Sequence, residues 1–79
     1  MSGQTTNKVR EILATVFSVD AGAITDTTSP DNLENWDSLQ HMNMIASLEE
    51  EFGISFNDDQ ISDMLDFKSV VSVVEQLKK

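Results

Sequence analysis

The chain contains no cysteine. Disulfides, thiolate metal sites and a cysteine nucleophile are therefore excluded, and any thiol chemistry must come from a cofactor. Cations are the second shortage. Lys8, Arg10, Lys68, Lys78 and Lys79 are the only basic side chains, so residues 11–67 hold no lysine or arginine against 13 carboxylates. The net charge is −9. A surface of that sign repels nucleic acid and anionic membranes, and it attracts basic protein patches over long range. No long apolar run is present, and the N-terminus lacks the charged-then-apolar layout of a signal peptide. The expectation is a cytoplasmic protein without membrane insertion.

What is present is helical patterning. At 79 residues, 39% of them hydrophobic, the chain is expected to form one domain, 1–79, near the lower size limit for a self-sufficient core. The stretch from Trp36 to Phe52 organises the rest. Asp37 is a strong N-cap residue, and Gln40 three places later suggests a variant capping box. Met44, Ile45, Leu48 and Phe52 then recur at the spacing of one buried helical face. Ser38 falls at the first helical position, where a small hydroxyl projects into solvent at the positive end of the helix dipole. Such a position suits a phosphate.

Val9, Ile12, Leu13, Val16 and Phe17 predict a first helix over Gln4 to Ser18, after a frayed start at Met1 to Gln4, with Thr5 or Thr6 as cap. Turn formers from Asp20 to Asn32 predict a long loop between Val19 and Trp36, pinned to the core by Ile24, Leu33 and Trp36. Gly53 suits a helix stop, and Ile54 and Phe56 should tuck inward. Asn57 and Gln60 repeat the capping pattern for a short helix with Ile61, Met64 and Leu65 on its apolar side. Phe67 is a further anchor. Ser69 is expected to open the last helix, whose stripe is Val70, Val73, Val74 and Leu77, with Lys78 and Lys79 at its negative end. The fold class expected is all-α: a small four-helix bundle of three longer helices and a short third one.

Asp37, Ser38 and His41 have the chemical types of a hydrolase triad. Asp37 is better used as a cap, however, and Ser38 and His41 lie one turn apart on a surface helix. His41 reads better as a half-buried residue flanking the core, and no catalytic residue is expected. The segment Asp20 to Glu34 lacks the acidic spacing of a calcium loop, and Glu49 to Glu51 reads as a solvated charge run, so no metal site is expected. Leu39, Met42 and Ala46 form a second apolar line on the central helix. Rimmed by acids, it suits a small docking face for a basic partner.

At Asp37-Ser38-Leu39 the chain resembles an acyl carrier protein. The resemblance extends over essentially the whole chain: the long first loop, the helix running to Leu48-Glu49-Glu50-Glu51-Phe52-Gly53-Ile54, the short third helix and the closing Phe67-Lys68-Ser69-Val70. It implies that Ser38 receives 4′-phosphopantetheine from coenzyme A, and that the arm's thiol holds acyl or aminoacyl groups as thioesters. It also implies that the carrier catalyses nothing itself. Asp37, Leu39, Met42, Glu49 and Glu50 match the positions read by a phosphopantetheinyl transferase, by loading enzymes and by downstream transferases or synthases with basic patches. Ile45, Leu48, Phe56, Ile61 and Met64 match the surroundings of an acyl pocket between the second and third helices. Trp36 departs from the small residue often preceding Asp-Ser-Leu, where its bulk could pin the loop and crowd the base of the arm. Gln40 and Asn43 stand where fatty-acid carriers often have acids. These departures point to a discrete carrier of a specialised pathway, such as polyketide, aminoacyl or surface-polysaccharide chemistry, and a monomer is expected. The competing reading is a small acidic helical adaptor or inhibitor without a prosthetic group.

Thirteen carboxylates without interspersed cations repel one another in the compact state. Added salt should therefore raise the melting temperature, since screening at 0.1 M acts over about 10 Å. A thermal melt across a salt series checks this, and a melting temperature that falls with salt would show that attraction outweighs repulsion.

Overall fold

Helices form in this chain where an apolar stripe at helical spacing meets a residue able to satisfy the first free amides. The computed structural model describes residues 3–78. Helix α1 spans Gly3–Phe17, α2 Ser38–Phe52, α3 Asp58–Asp63 and α4 Phe67–Lys78, with one 3₁₀ turn at Ala21–Ala23. This is the expected all-α bundle. Helix α1 packs on α2 and α4, and α3 packs on α4. Val9, Leu13, Met44, Leu48, Val70 and Val74 interlock at its centre, each fully buried.

Three helices start in the same way. Asp37 Oδ1 accepts from the Gln40 amide at 2.9 Å, Asn57 Oδ1 from the Gln60 amide at 2.8 Å, and Asp66 Oδ1 from the Ser69 amide at 2.8 Å. Each bond satisfies one of the amides that a helix start leaves without a partner. The reciprocal box is complete at α3, where Gln60 Oε1 accepts from the Asn57 amide at 2.9 Å. At α2 the box is one-sided, because Gln40 Oε1 accepts from Asn43 Nδ2 at 2.7 Å instead.

Some boundaries differ from expectation. Helix α4 opens at Phe67 rather than Ser69, since Asp66 supplies the cap and Ser69 becomes the third helical residue. Helix α1 already includes Gly3 and Gln4, so Thr5 and Thr6 lie inside it and do not cap it. Met1 and Ser2, expected to fray, and Lys79, expected at the end of the last helix, lie outside the described residues. Helix α3 stops at Asp63, so its periodicity no longer governs Leu65, which is 68% exposed rather than apolar-facing. Helix α1 ends at Phe17 because Ser18 takes a left-handed conformation, φ 60°, while the Val19 amide reaches the Ala14 carbonyl at 3.0 Å. A serine there costs about 1 kcal/mol relative to glycine. Gly53, at φ 65°, ends α2 as expected.

The loop between α1 and α2 is fastened more firmly than its apolar pins suggest. Ile24 and Trp36 are buried and Leu33 is half-buried, as expected. Polar ties add to them. Arg10 Nε donates to the Ile24 carbonyl at 3.1 Å, with its guanidinium 5.1 Å from the Phe67 ring centre. Buried Thr28 accepts the Thr25 amide on its hydroxyl at 2.8 Å. Its carbonyl accepts the Phe67 amide at 2.8 Å, satisfying the first residue of α4. Asn35 Nδ2 donates to the Phe17 carbonyl at 2.6 Å and so joins the two ends of the loop.

The Asp66 carboxyl is held below the ordinary aspartate range by the Ser69 amide first, then by the Ser69 hydroxyl, against a smaller upward pull from burial. Because its folded-state pKa is depressed, its contribution is present above the unfolded aspartate value of about 3.9 and is lost as pH falls through the folded value. Asp66→Ala should cost about 1 kcal/mol at neutral pH. Denaturant titrations from pH 7 downward should show a constant gap from wild type until about pH 4, narrowing below it.

Candidate functional site

The α2 N-terminus is built from both sides. The loop arrives through Trp36, 2% exposed, whose ring lies 5.1 Å from that of Phe17. With the indole fixed in the core, the following residue, Asp37, is extended and caps α2. Ser38 is then exposed as the first helical residue. The Trp36 bulk therefore pins the loop as expected, but it does so from inside, so the indole leaves the exposed serine uncrowded.

His41 adds a second fixture one turn along. Trp36 Nε1 donates to His41 Nδ1 at 2.9 Å, and His41 Nε2 lies 3.3 Å from the Ile61 carbonyl. An indole nitrogen can only donate, so Nδ1 must accept and the imidazole proton sits on Nε2, directed at Ile61. The ring thus links the loop, α2 and α3. Both nitrogens are committed, and neither can act as base toward Ser38. This removes the triad on geometric grounds.

Next to Ser38 lies an open cleft of about 910 Å³. Its loop side is formed by Pro30, Asp31, Asn32 and Glu34, and its helix side by Trp36 to Ser38, His41 and Met42. No residue pattern signals it, because it depends on how the loop folds back over α2.

The other expected site residues divide into exposed and interior groups. Leu39 and Met42 are 71% and 52% exposed, and Asp37 and Glu50 are also exposed. Glu49 is half-buried, with Oε2 accepting the Phe56 amide at 2.9 Å, so one of its oxygens ties α2 to the chain entering α3. Ile45, Leu48, Phe56 and Met64 are buried in one core cluster with Ile61 packed against it. They are brought together, as core side chains. Among the described residues no group of three or more His, Asp or Glu is placed to hold a metal ion, and no helix is long and apolar enough to cross a membrane.

A family model described as phosphopantetheine attachment site matches residues 7–77. The chain belongs to the phosphopantetheine-attachment family. An acyl carrier protein of Lactobacillus acidophilus is 32% identical over 69 residues, covering 87% of this chain and 86% of that one. The solution structure of a holo acyl carrier protein from Geobacter metallireducens superposes with a TM-score of 0.82 at 30% identity, covering 91% of this chain and 83% of that one. The non-reducing polyketide synthase AC of Didymella fabae is 31% identical over 75 residues, which are 95% of this chain but 3% of that enzyme.

As a member of this family the chain is a carrier protein and not an enzyme, and the group it carries is covalent phosphopantetheine. An adaptor without a prosthetic group is not favoured. The carrier's α2 start fits the group: an exposed hydroxyl on the first helical residue, at the positive end of the helix, with open space alongside.

The Trp36–His41 contact yields a separable stability test. His41→Leu leaves a buried indole donor without its acceptor and should cost about 1–3 kcal/mol. Trp36→Phe combined with His41→Leu removes both partners and should cost less than the sum of the two single changes. Denaturant midpoints of the four proteins measure that coupling, and simple additivity would show the bond to be energetically idle.

Proposed function

We propose that Ser38 is the residue that carries 4′-phosphopantetheine, and that this carrier presents acyl or aminoacyl thioesters to enzymes with basic docking patches. The observation that carries the reading is the placement of Ser38: exposed, first in α2, held in register by the Asp37 cap and bordering a cleft. The bound arm supplies a thiol on which the cargo forms a thioester. The chain's own residues do the rest. Asp37 and Trp36 orient the attachment point, and the first turn of α2 would hold the phosphodiester at its positive end. The exposed Leu39 and Met42 offer an apolar contact rimmed by Asp37 and Glu50. Glu49 contributes with the oxygen not taken by Phe56.

A phosphopantetheinyl transferase and biosynthetic enzymes are partners of such a carrier in general. Our finer reading is a specialised, cytoplasmic, monomeric carrier. The specialised role is supported by Gln40 and Asn43, which are paired with each other at 2.7 Å on the surface instead of presenting two charges. Replacing charges there weakens steering toward a fatty-acid enzyme's basic patch by about 0.2–1 kcal/mol for each exposed pair lost. For a carrier of long aliphatic tails, Ile45, Leu48, Phe56, Ile61 and Met64 are the side chains that would part to admit one.

Incubation with coenzyme A, magnesium and a phosphopantetheinyl transferase, followed by intact mass, tests the attachment. Wild type should gain one phosphopantetheine. Ser38→Ala should fold with a near-unchanged melting temperature and gain none. Modification that persists in this variant, or maps to Ser47, refutes the assignment.

A further inference from the structure

The cleft beside Ser38 has chemistry of its own. Its volume of about 910 Å³ falls in the range of small-ligand sites, about 300–1,000 Å³. Pro30 and the half-exposed Met42 supply apolar surface, while Asp31, Glu34 and Asp37 supply carboxylates. Ionised carboxylates accept hydrogen bonds and donate none. Two neighbouring groups are partly or wholly engaged: one N–H of Asn32 Nδ2 donates to the Thr27 carbonyl at 2.8 Å, and His41 is committed on both nitrogens. No lysine or arginine occurs anywhere in residues 11–67. The cleft therefore presents a rim rich in carboxylate acceptors around an apolar patch, with no lysine or arginine.

A pantetheine arm is complementary to that surface. It has two amide N–H groups and a hydroxyl to donate, and a geminal pair of methyls to pack. Attached at Ser38, it begins inside the cleft wall rather than arriving from solution. Tethering raises its effective concentration to the millimolar range, so weak contacts suffice to hold it and to let it go.

We propose that this cleft is the berth of the arm carried by Ser38, and that it accepts arms ending in an uncharged group while turning away those ending in a carboxylate. The proposal rests on Ser38 as the attachment residue. The discrimination follows from charge. A terminal carboxylate entering the cleft meets the exposed Asp31, Glu34 and Asp37 and no lysine or arginine, so like-charge repulsion opposes it, most strongly at low salt. A thiol or acetyl end meets no such barrier. The phosphodiester stays outside, at the α2 amides.

The test uses isotopically labelled full-length carrier loaded from coenzyme A, acetyl-coenzyme A or malonyl-coenzyme A, with intact mass taken first. Absence of the mass gain refutes the attachment reading itself and this proposal with it. With loading confirmed, nuclear Overhauser contacts are read from the arm's geminal methyls. Contacts to Met42 and Pro30 in the thiol and acetyl forms, weakened several-fold in the malonyl form at low salt, are the expected result. The double variant Asp31→Asn and Glu34→Gln should restore them for the malonyl arm. Contacts to Phe56, Ile61 or Met64 instead, or none beyond Asp37 to Gln40, overturn the berth. Equal contacts for acetyl and malonyl arms overturn the charge selection.

Discussion

Trp36, 2% exposed with its ring 5.1 Å from that of Phe17, fixes the residue immediately before the α2 cap. Burying an indole removes about 150–250 Å² from water. At about 25 cal/mol per Å² this is an upper bound of roughly 4–6 kcal/mol. That is comparable with the net stability of a small domain, about 5–15 kcal/mol. Two further features hang on this contact. The Asn35 bond to the Phe17 carbonyl closes the loop next to it, and the indole N–H sets the tautomer through which His41 holds the Ile61 carbonyl. The loop, α2 and α3 thus share one anchoring point, and Ser38 lies two residues from it.

Where a feature depends on residues close in sequence, the sequence showed it. Asp37 and Asn57 cap through an amide three residues on, Gly53 is left-handed, and the stripe Met44, Ile45, Leu48 faces the core. Ser38 at the head of α2 follows from the same local logic. Features that depend on the tertiary path were not visible. Thr28 sits among turn formers, yet it is buried because its carbonyl serves Phe67, thirty-nine residues away. His41 could be read as a flank residue, but its acceptor role needs the indole brought alongside. Ser69 misled because the competing cap, Asp66, precedes an aromatic residue that looked like a loop anchor. The cleft required the loop's backbone course, which residue types alone do not encode.

The few cations near the acidic surface are used internally. Arg10 reaches the Ile24 carbonyl and covers Phe67, and Lys8 pairs with Glu51 at 3.1 Å between α1 and α2. Neither lies on the stretch from Pro30 to Met42 that borders Ser38. Positive charge thus stabilises the scaffold while the approach to Ser38 keeps a single sign. A surface of one sign attracts basic protein patches over long range.

The shared capping device of α2, α3 and α4 makes each helix's starting point portable. The acceptor and the amide it satisfies lie three residues apart, so the start is written within one short word of sequence and needs no distant partner. Lengthening or shortening the preceding connection would move a helix in space without changing which residue comes first in it. For α2, that residue is Ser38. A change in the long loop's length or composition would thereby remodel the surroundings of Ser38 while the serine keeps its place at the head of the helix.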